Sequence, residues 1–109
     1  MNLNNEHCTP IAAGSAPLSD RDEDEYLESV AGWDLVRETP HKIKREIKFG
    51  TYMDGADFAH EVAAIADAEN HHPAMHVYYK KVVIELYTHS VEGLSKNDFI
   101  IAAKVNNAL

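Results

Sequence analysis

Four histidines, His71, His72, His76 and His89, lie within one short stretch of the sequence. His71 and His72 are followed at once by Pro73, and His89 comes after a run of aromatic and β-branched residues. Asp67 precedes the pair, and Asp98 closes the stretch in Leu94-Ser95-Lys96-Asn97-Asp98. Imidazole titrates near neutrality, so a group of histidines points to proton transfer or to a bound metal. Spacing separates these two chemistries. His72 and His76 would ligate a metal from one helical face, but Pro73 excludes that helix. No cysteine pair and no His-Glu-x-x-His pattern is present. His7, His41 and His60 lack partners at telling spacing and read as surface residues. Cys8 beside His7 has no fixed geometry that would make it an activated nucleophile. Metal binding is therefore the weaker reading.

The elements that hold these residues can be read from capping and periodicity. Residues 1–18 show no apolar period and read as a loose arm. Ser19 with Asp22 opens a helix whose stripe is Tyr26, Leu27 and Val30, and Gly32 stops it. Residues 33–37 and 43–49 read as two strands. In the second, Ile43, Ile47 and Phe49 share a face, with Arg45 as the one exception to the period of two. Trp33 reads as a core residue. Asp54 is the expected cap of a second helix running from about residue 55 to 69, with Phe58, Val62, Ile65 and Ala66 facing a sheet.

Pro73 forces that helix to stop near Asn70 and sets His72 in an extended conformation. Residues 76–79 and 82–88 read as a hairpin, with His89 at the end of its second strand. Neighbours on a strand point to opposite faces, so both rings of the His71-His72 pair enter one pocket only if the backbone bends between them. Ser95 with Asp98 caps a last helix. The order α-β-β-α-β-β-α predicts an α+β fold, a four-stranded antiparallel sheet with helices packed on one face.

Length and composition narrow the rest. A chain of 109 residues forms one domain, here expected over residues 19–109. A net charge of −8 opposes binding to a nucleic-acid backbone. Much of that charge lies in Asp20, Asp22, Glu23, Asp24, Glu25 and Glu28, which read as a solvated helix face. No apolar run is long enough for a membrane helix, and no export signal is visible. The single Cys8 fits a reducing cytoplasm.

The spacing Asp67, His71-His72-Pro73, Tyr79, His89, Asp98 resembles that of the pterin-4a-carbinolamine dehydratases. The likeness extends through Ala31-Gly32-Trp33, the Ile47/Phe49 strand, the Phe58-to-Glu69 helix and Gly93-Leu94-Ser95, over residues 19–109. The segment His7-Cys8-Thr9-Pro10 is also similar to bacterial members, some of which carry a second cysteine where Ile11 stands. The resemblance implies a lyase that dehydrates a 4a-hydroxytetrahydropterin to a quinonoid dihydropterin and so recycles the pterin of aromatic amino-acid hydroxylases. It implies His71, His72 and His89 as the catalytic set, with His71 and His89 the acid–base pair and His72 a pterin binder or second base. Asp67, Pro73 and Asp98 match binding or orienting positions. No metal or other cofactor is implied, and a homodimer or homotetramer is expected.

Two departures from the pattern stand out. Asn70 replaces the aspartate often found before His-His-Pro, and Ser90 replaces the acid common after Thr-His. Both remove a carboxylate from the neighbourhood of the histidines, which predicts a shifted pH optimum rather than lost activity. The alternative function, also implied by the family, is a non-catalytic protein-binding module of the dimerisation-cofactor kind.

Overall fold

The structure, a computed structural model, describes residues 2–109. Helix α1 (Asp20–Leu27) starts where Ser19 accepts the Asp22 backbone N–H. Strands β1 (Asp34–Val36) and β2 (Lys42–Lys48) follow, then helix α2 (Tyr52–Glu69), strands β3 (Ala74–Val77) and β4 (Lys81–Leu86), and helix α3 (Lys96–Ala108). The four strands form one antiparallel sheet in the order β1-β2-β4-β3. The expected α+β architecture and element order are therefore observed. Among the described residues no helix is long and apolar enough to cross a membrane.

Alternation along the strands builds the core. Val82, Ile84 and Leu86 of β4 and Ile43 and Ile47 of β2 are buried against Phe58, Val62 and Ala66 of α2 and Phe99, Ile101 and Val105 of α3. Helix α1 joins this layer through Tyr26, stacked on Phe99 at 5.4 Å. Arg45 pairs with Ile84 across the β2–β4 ladder and so belongs to the core-facing side, which is why it breaks the polar alternation. Its guanidinium reaches the end of α3, where it bonds Asn106 Oδ1 at 2.6 Å and the Ala31 carbonyl at 3.0 Å. Trp33, buried as expected, donates its indole N–H to the same Asn106 oxygen.

Several expectations need correction. Helix α2 starts three residues earlier than Asp54 suggested: Thr51 is the cap and accepts the Asp54 backbone N–H at 3.1 Å. The acidic run is not wholly a solvated face, because Glu23 is fully buried. Its carboxylate meets Arg37 Nε at 3.1 Å and His41 Nδ1 at 2.8 Å, so His41 has a partner after all.

The largest correction concerns the arm. Its first residue lies outside the described residues, and residues 2–18 lie along the body rather than as a loose tail. Leu3 is buried in the core beside α3. The Leu18 N–H bonds the Leu94 carbonyl at 2.8 Å, and the Gly14 N–H bonds the Ser90 carbonyl. A side chain at Gly93 would stand 2.9 Å from Pro17 Cβ, so glycine there permits the close approach. Main-chain bonds of this kind leave no periodic signal in sequence.

Candidate active site

Three chain segments converge at one end of the sheet. Helix α2 ends at Glu69 because Asn70 takes the left-handed conformation, with φ 53° and ψ 41°. The N–H groups of Asn70 and His71 turn back onto the Ala66 carbonyl. Asparagine tolerates this conformation better than most residues, which gives the amide at position 70 a backbone role. Pro73 then leads into β3. From the other side, β4 passes through Thr88 into a short 3-10 turn, His89–Val91. His89 thus lies beyond the strand rather than at its end. The third segment is the start of α3, where Ser95 and Asp98 form a reciprocal capping box.

Asp98 joins all three segments. Its side chain has 0% exposure and its two oxygens are divided. Oδ2 accepts the Ser95 backbone N–H at 2.9 Å and the Thr88 hydroxyl at 2.7 Å. Oδ1 lies 2.7 Å from His71 Nε2, whose ring is 13% exposed. A carboxylate offers only lone pairs, so the proton of this contact is carried by Nε2 and the imidazole tautomer is fixed. Thr88 in turn bonds Ser95 Oγ at 2.6 Å, which completes a buried polar chain with every member satisfied. The capping expected of Asp98 and its placement beside a histidine are both present.

His71 and His89 line the same cavity, of about 290 Å³, together with Thr88, Asn97 and the segment from Cys8 to Ile11. His89 is exposed and packs edge-on against Tyr87 at 6.4 Å, and its ring has no hydrogen-bond partner among the described residues. His72 is not among the residues that line this cavity. The bend at Asn70 does not bring the two adjacent rings together, and His72 turns outward to Asp67 Oδ1 at 2.9 Å, with both side chains exposed.

Three further residues matter that the sequence reading passed over. Glu69 accepts the Cys8 backbone N–H at 2.7 Å and meets His7 Nδ1 at 2.8 Å. Burial raises its pKa, but the Cys8 N–H, His7 and Lys104 outweigh that and hold it below the usual carboxylate range. An acid in the last turn of a helix opposes the helix dipole, and that was the available signal that it has another partner. Asn97 bonds both backbone groups of Thr9, at 3.1 and 2.7 Å. Thr88 was visible only as the residue before His89. Burial, followed by the charges of Glu69 and Asp98, pushes the Cys8 thiol up to about 12. It is therefore protonated and unreactive as a nucleophile. Elsewhere, Asp20, Glu23 and His41 offer ligand atoms within 4.8 Å of one another, the only such group among the described residues. Arg37 already pairs with both of these acids, at 3.8 and 3.1 Å.

The model of the pterin 4 alpha carbinolamine dehydratase family matches residues 16–108. The chain belongs to this family. Among dehydratase relatives, an Arabidopsis thaliana protein named pterin-4-alpha-carbinolamine dehydratase 2, mitochondrial, is 38% identical over 95% of this chain and 57% of its own length. A Methylococcus capsulatus protein, provisionally named pterin-4-alpha-carbinolamine dehydratase, is 36% identical over 95% of this chain and 90% of its own. The crystal structure of a transcriptional coactivator/pterin dehydratase from Brucella melitensis is similar with a TM-score of 0.78 at 30% identity, covering 84% of this chain and 96% of that one. A pterin dehydratase-like protein identified as a RuBisCO assembly factor in the alpha-carboxysome shares the fold, with a TM-score of 0.61 at 20% identity over 72% of this chain and 90% of that one.

Proposed function

We propose that this chain dehydrates a 4a-hydroxytetrahydropterin to the quinonoid dihydropterin by histidine acid–base catalysis. The reaction removes the proton on N5, forms the N5–C4a double bond, and expels the 4a-hydroxyl as water once it has gained a proton. One group must accept a proton while another delivers one, and two imidazoles in one cavity suit that pair of tasks. His71 is the base. With its Nε2 proton held by Asp98, the neutral ring keeps Nδ1 as the acceptor, and the buried carboxylate stabilises the imidazolium that forms. His89, free of other partners, is the acid. His72, paired with Asp67 outside the cavity lining, is assigned to binding the pterin, and Pro73 fixes its direction. The single observation that carries the reading is the His71–Asp98 contact of 2.7 Å on the wall of a cavity that His89 shares.

The same reading includes recycling of the tetrahydropterin used in aromatic hydroxylation, a cytoplasmic location, and association into a dimer or tetramer. Sedimentation would fix the last. The catalytic test is the ultraviolet decay of a 4a-carbinolamine with and without the protein. Acceleration over the spontaneous rate supports the dehydratase. No acceleration would leave the protein-binding module as the function, a reading favoured by the exposed aromatic cluster of Tyr52, Tyr78 and Tyr79, the last 73% exposed.

A further inference from the structure

The cavity beside His71 takes four of its lining residues, Cys8, Thr9, Pro10 and Ile11, from the N-terminal segment rather than from the helices and sheet. The matched family model starts at residue 16, so it assigns this segment no role. Two side chains hold it, one from each helix end that frames the site. Glu69, the last residue of α2, accepts the Cys8 N–H. Asn97, in the first turn of α3 and only 6% exposed, both accepts from and donates to the Thr9 backbone. Helix α3 already has its cap in Ser95, so these Asn97 bonds fix the strap rather than the helix.

We infer that residues 8–11 are a substrate-binding wall, that Glu69 and Asn97 are its positioning residues, and that the wall selects pterins with an uncharged side chain. The inference rests on the pterin reading of the site. The strap brings a hydroxyl, a protonated thiol and the apolar surfaces of Pro10 and Ile11 to the cavity, a surface suited to the flat ring and short hydroxylated substituent of a simple pterin. The lining contains neither lysine nor arginine, the Glu69 carboxylate is part of it, and the chain as a whole carries −8. An anionic substituent such as a phosphate ester finds no lysine or arginine there, only the His89 ring that the reaction itself uses, and is repelled by the surrounding field.

The positioning role has a distinct signature. A substrate that needs the strap in place binds with an affinity reduced by the fraction of time the strap is away. Losing the two Asn97 bonds lowers the docking equilibrium constant severalfold for each bond, about tenfold together, and the apparent affinity falls by up to that factor. The Asp98–His71 contact is untouched, so the chemical step keeps its rate.

The experiment compares full-length wild type with Asn97→Ala, Glu69→Ala and Glu69→Gln. It measures kcat and KM for carbinolamine decay, Kd for non-reacting biopterin by calorimetry, and amide exchange at Cys8 and Thr9. Asn97→Ala and Glu69→Ala should exchange faster and raise KM and Kd severalfold, up to about tenfold, with kcat within about threefold. Glu69→Gln keeps an acceptor for the Cys8 N–H and should restore most of the affinity. Wild type should bind neopterin at least about tenfold more tightly than neopterin monophosphate. Faster exchange with unchanged Kd would overturn the wall, and equal affinity for the monophosphate would overturn its selectivity. If wild type does not accelerate carbinolamine decay, the dehydratase reading fails while the biopterin titrations still decide the strap. If wild type binds no pterin, both fall.

Discussion

The division of Asp98 between helix and imidazole can be tested by Asp98→Asn, which keeps size and shape while removing the charge. The amide oxygen can replace Oδ2 and retain the Thr88 hydroxyl and the Ser95 N–H, at 2.7 and 2.9 Å in the native protein. The amide nitrogen then stands where Oδ1 met His71 Nε2. An N–H group can only donate, so His71 must turn Nε2 into an acceptor and carry its proton on Nδ1. The stability cost is the difference between charge-assisted and neutral hydrogen bonds, about 1–2 kcal/mol, so the fold survives. For a domain of this size that lowers Tm by about 5–10 °C. The catalytic cost is larger, because the base nitrogen is now protonated and the imidazolium has lost its counter-ion. General acid–base catalysis contributes about 10²–10⁴, and kcat should fall by that factor. The assay is carbinolamine decay at 25 °C beside a thermal melt of the same sample. A Tm reduced as expected with kcat within about fivefold of wild type would refute the orienting role and leave Asp98 as a helix cap alone.

Three further outcomes follow from the same geometry. His71→Ala and His89→Ala should each reduce kcat by at least about a hundredfold, whereas His72→Ala should act mainly on KM because its ring lies outside the cavity. Near-native turnover of either of the first two variants would defeat the acid–base assignment. Glu69 has a folded pKa below its unfolded one, so its stabilising contribution is complete above the ordinary carboxylate value of 4.5 and is lost as pH falls through the lower folded value. Acid melts of Glu69→Gln should therefore lose less stability below about pH 4.5 than wild type, and parallel curves would contradict this. The Cys8 thiol, at about 12 against an ordinary 9.0, should hold about a thousandfold less thiolate at pH 8 than a free cysteine. Alkylation by iodoacetamide should be correspondingly slow, and a rate typical of an open cysteine would show that the strap is not docked.

What the sequence revealed and what it hid divide along local and non-local causes. Ser19 with Asp22, Ser95 with Asp98, and Pro73 after the histidine pair act within a turn of chain, so they marked helix ends correctly. The alternation Val82, Ile84, Leu86 marked the buried face of β4. By contrast, the strap is held by bonds between Cys8 and Glu69 and between Thr9 and Asn97, which span most of the chain. Pairings at that range carry no pattern of their own. The role of Arg45 was hidden for the same reason, since its partners Ala31 and Asn106 lie in other elements. Adjacent histidines suggested one pocket, but the left-handed turn at Asn70 sends only His71 into it. In sequence Asn70 stands out for its missing charge, whereas in the structure its left-handed backbone is what counts.

Helix α2 packs alongside the β3–β4 hairpin. Helix α2 starts at Tyr52, whose ring lies 6.5 Å from Tyr79 at the hairpin tip, and its last residue is Glu69 at the cavity. At about 1.5 Å per residue, its 18 residues separate those ends by about 27 Å, well beyond the reach of screened surface charges. Proton chemistry and the exposed aromatic surface are therefore insulated from each other within one small domain. Charge changes around Tyr79 are expected to leave the imidazoles undisturbed. A fold with this polarity lets the surface at one end change without dismantling the cavity at the other, and a fluorophore or tether placed at Tyr79 reports on the protein without entering that cavity.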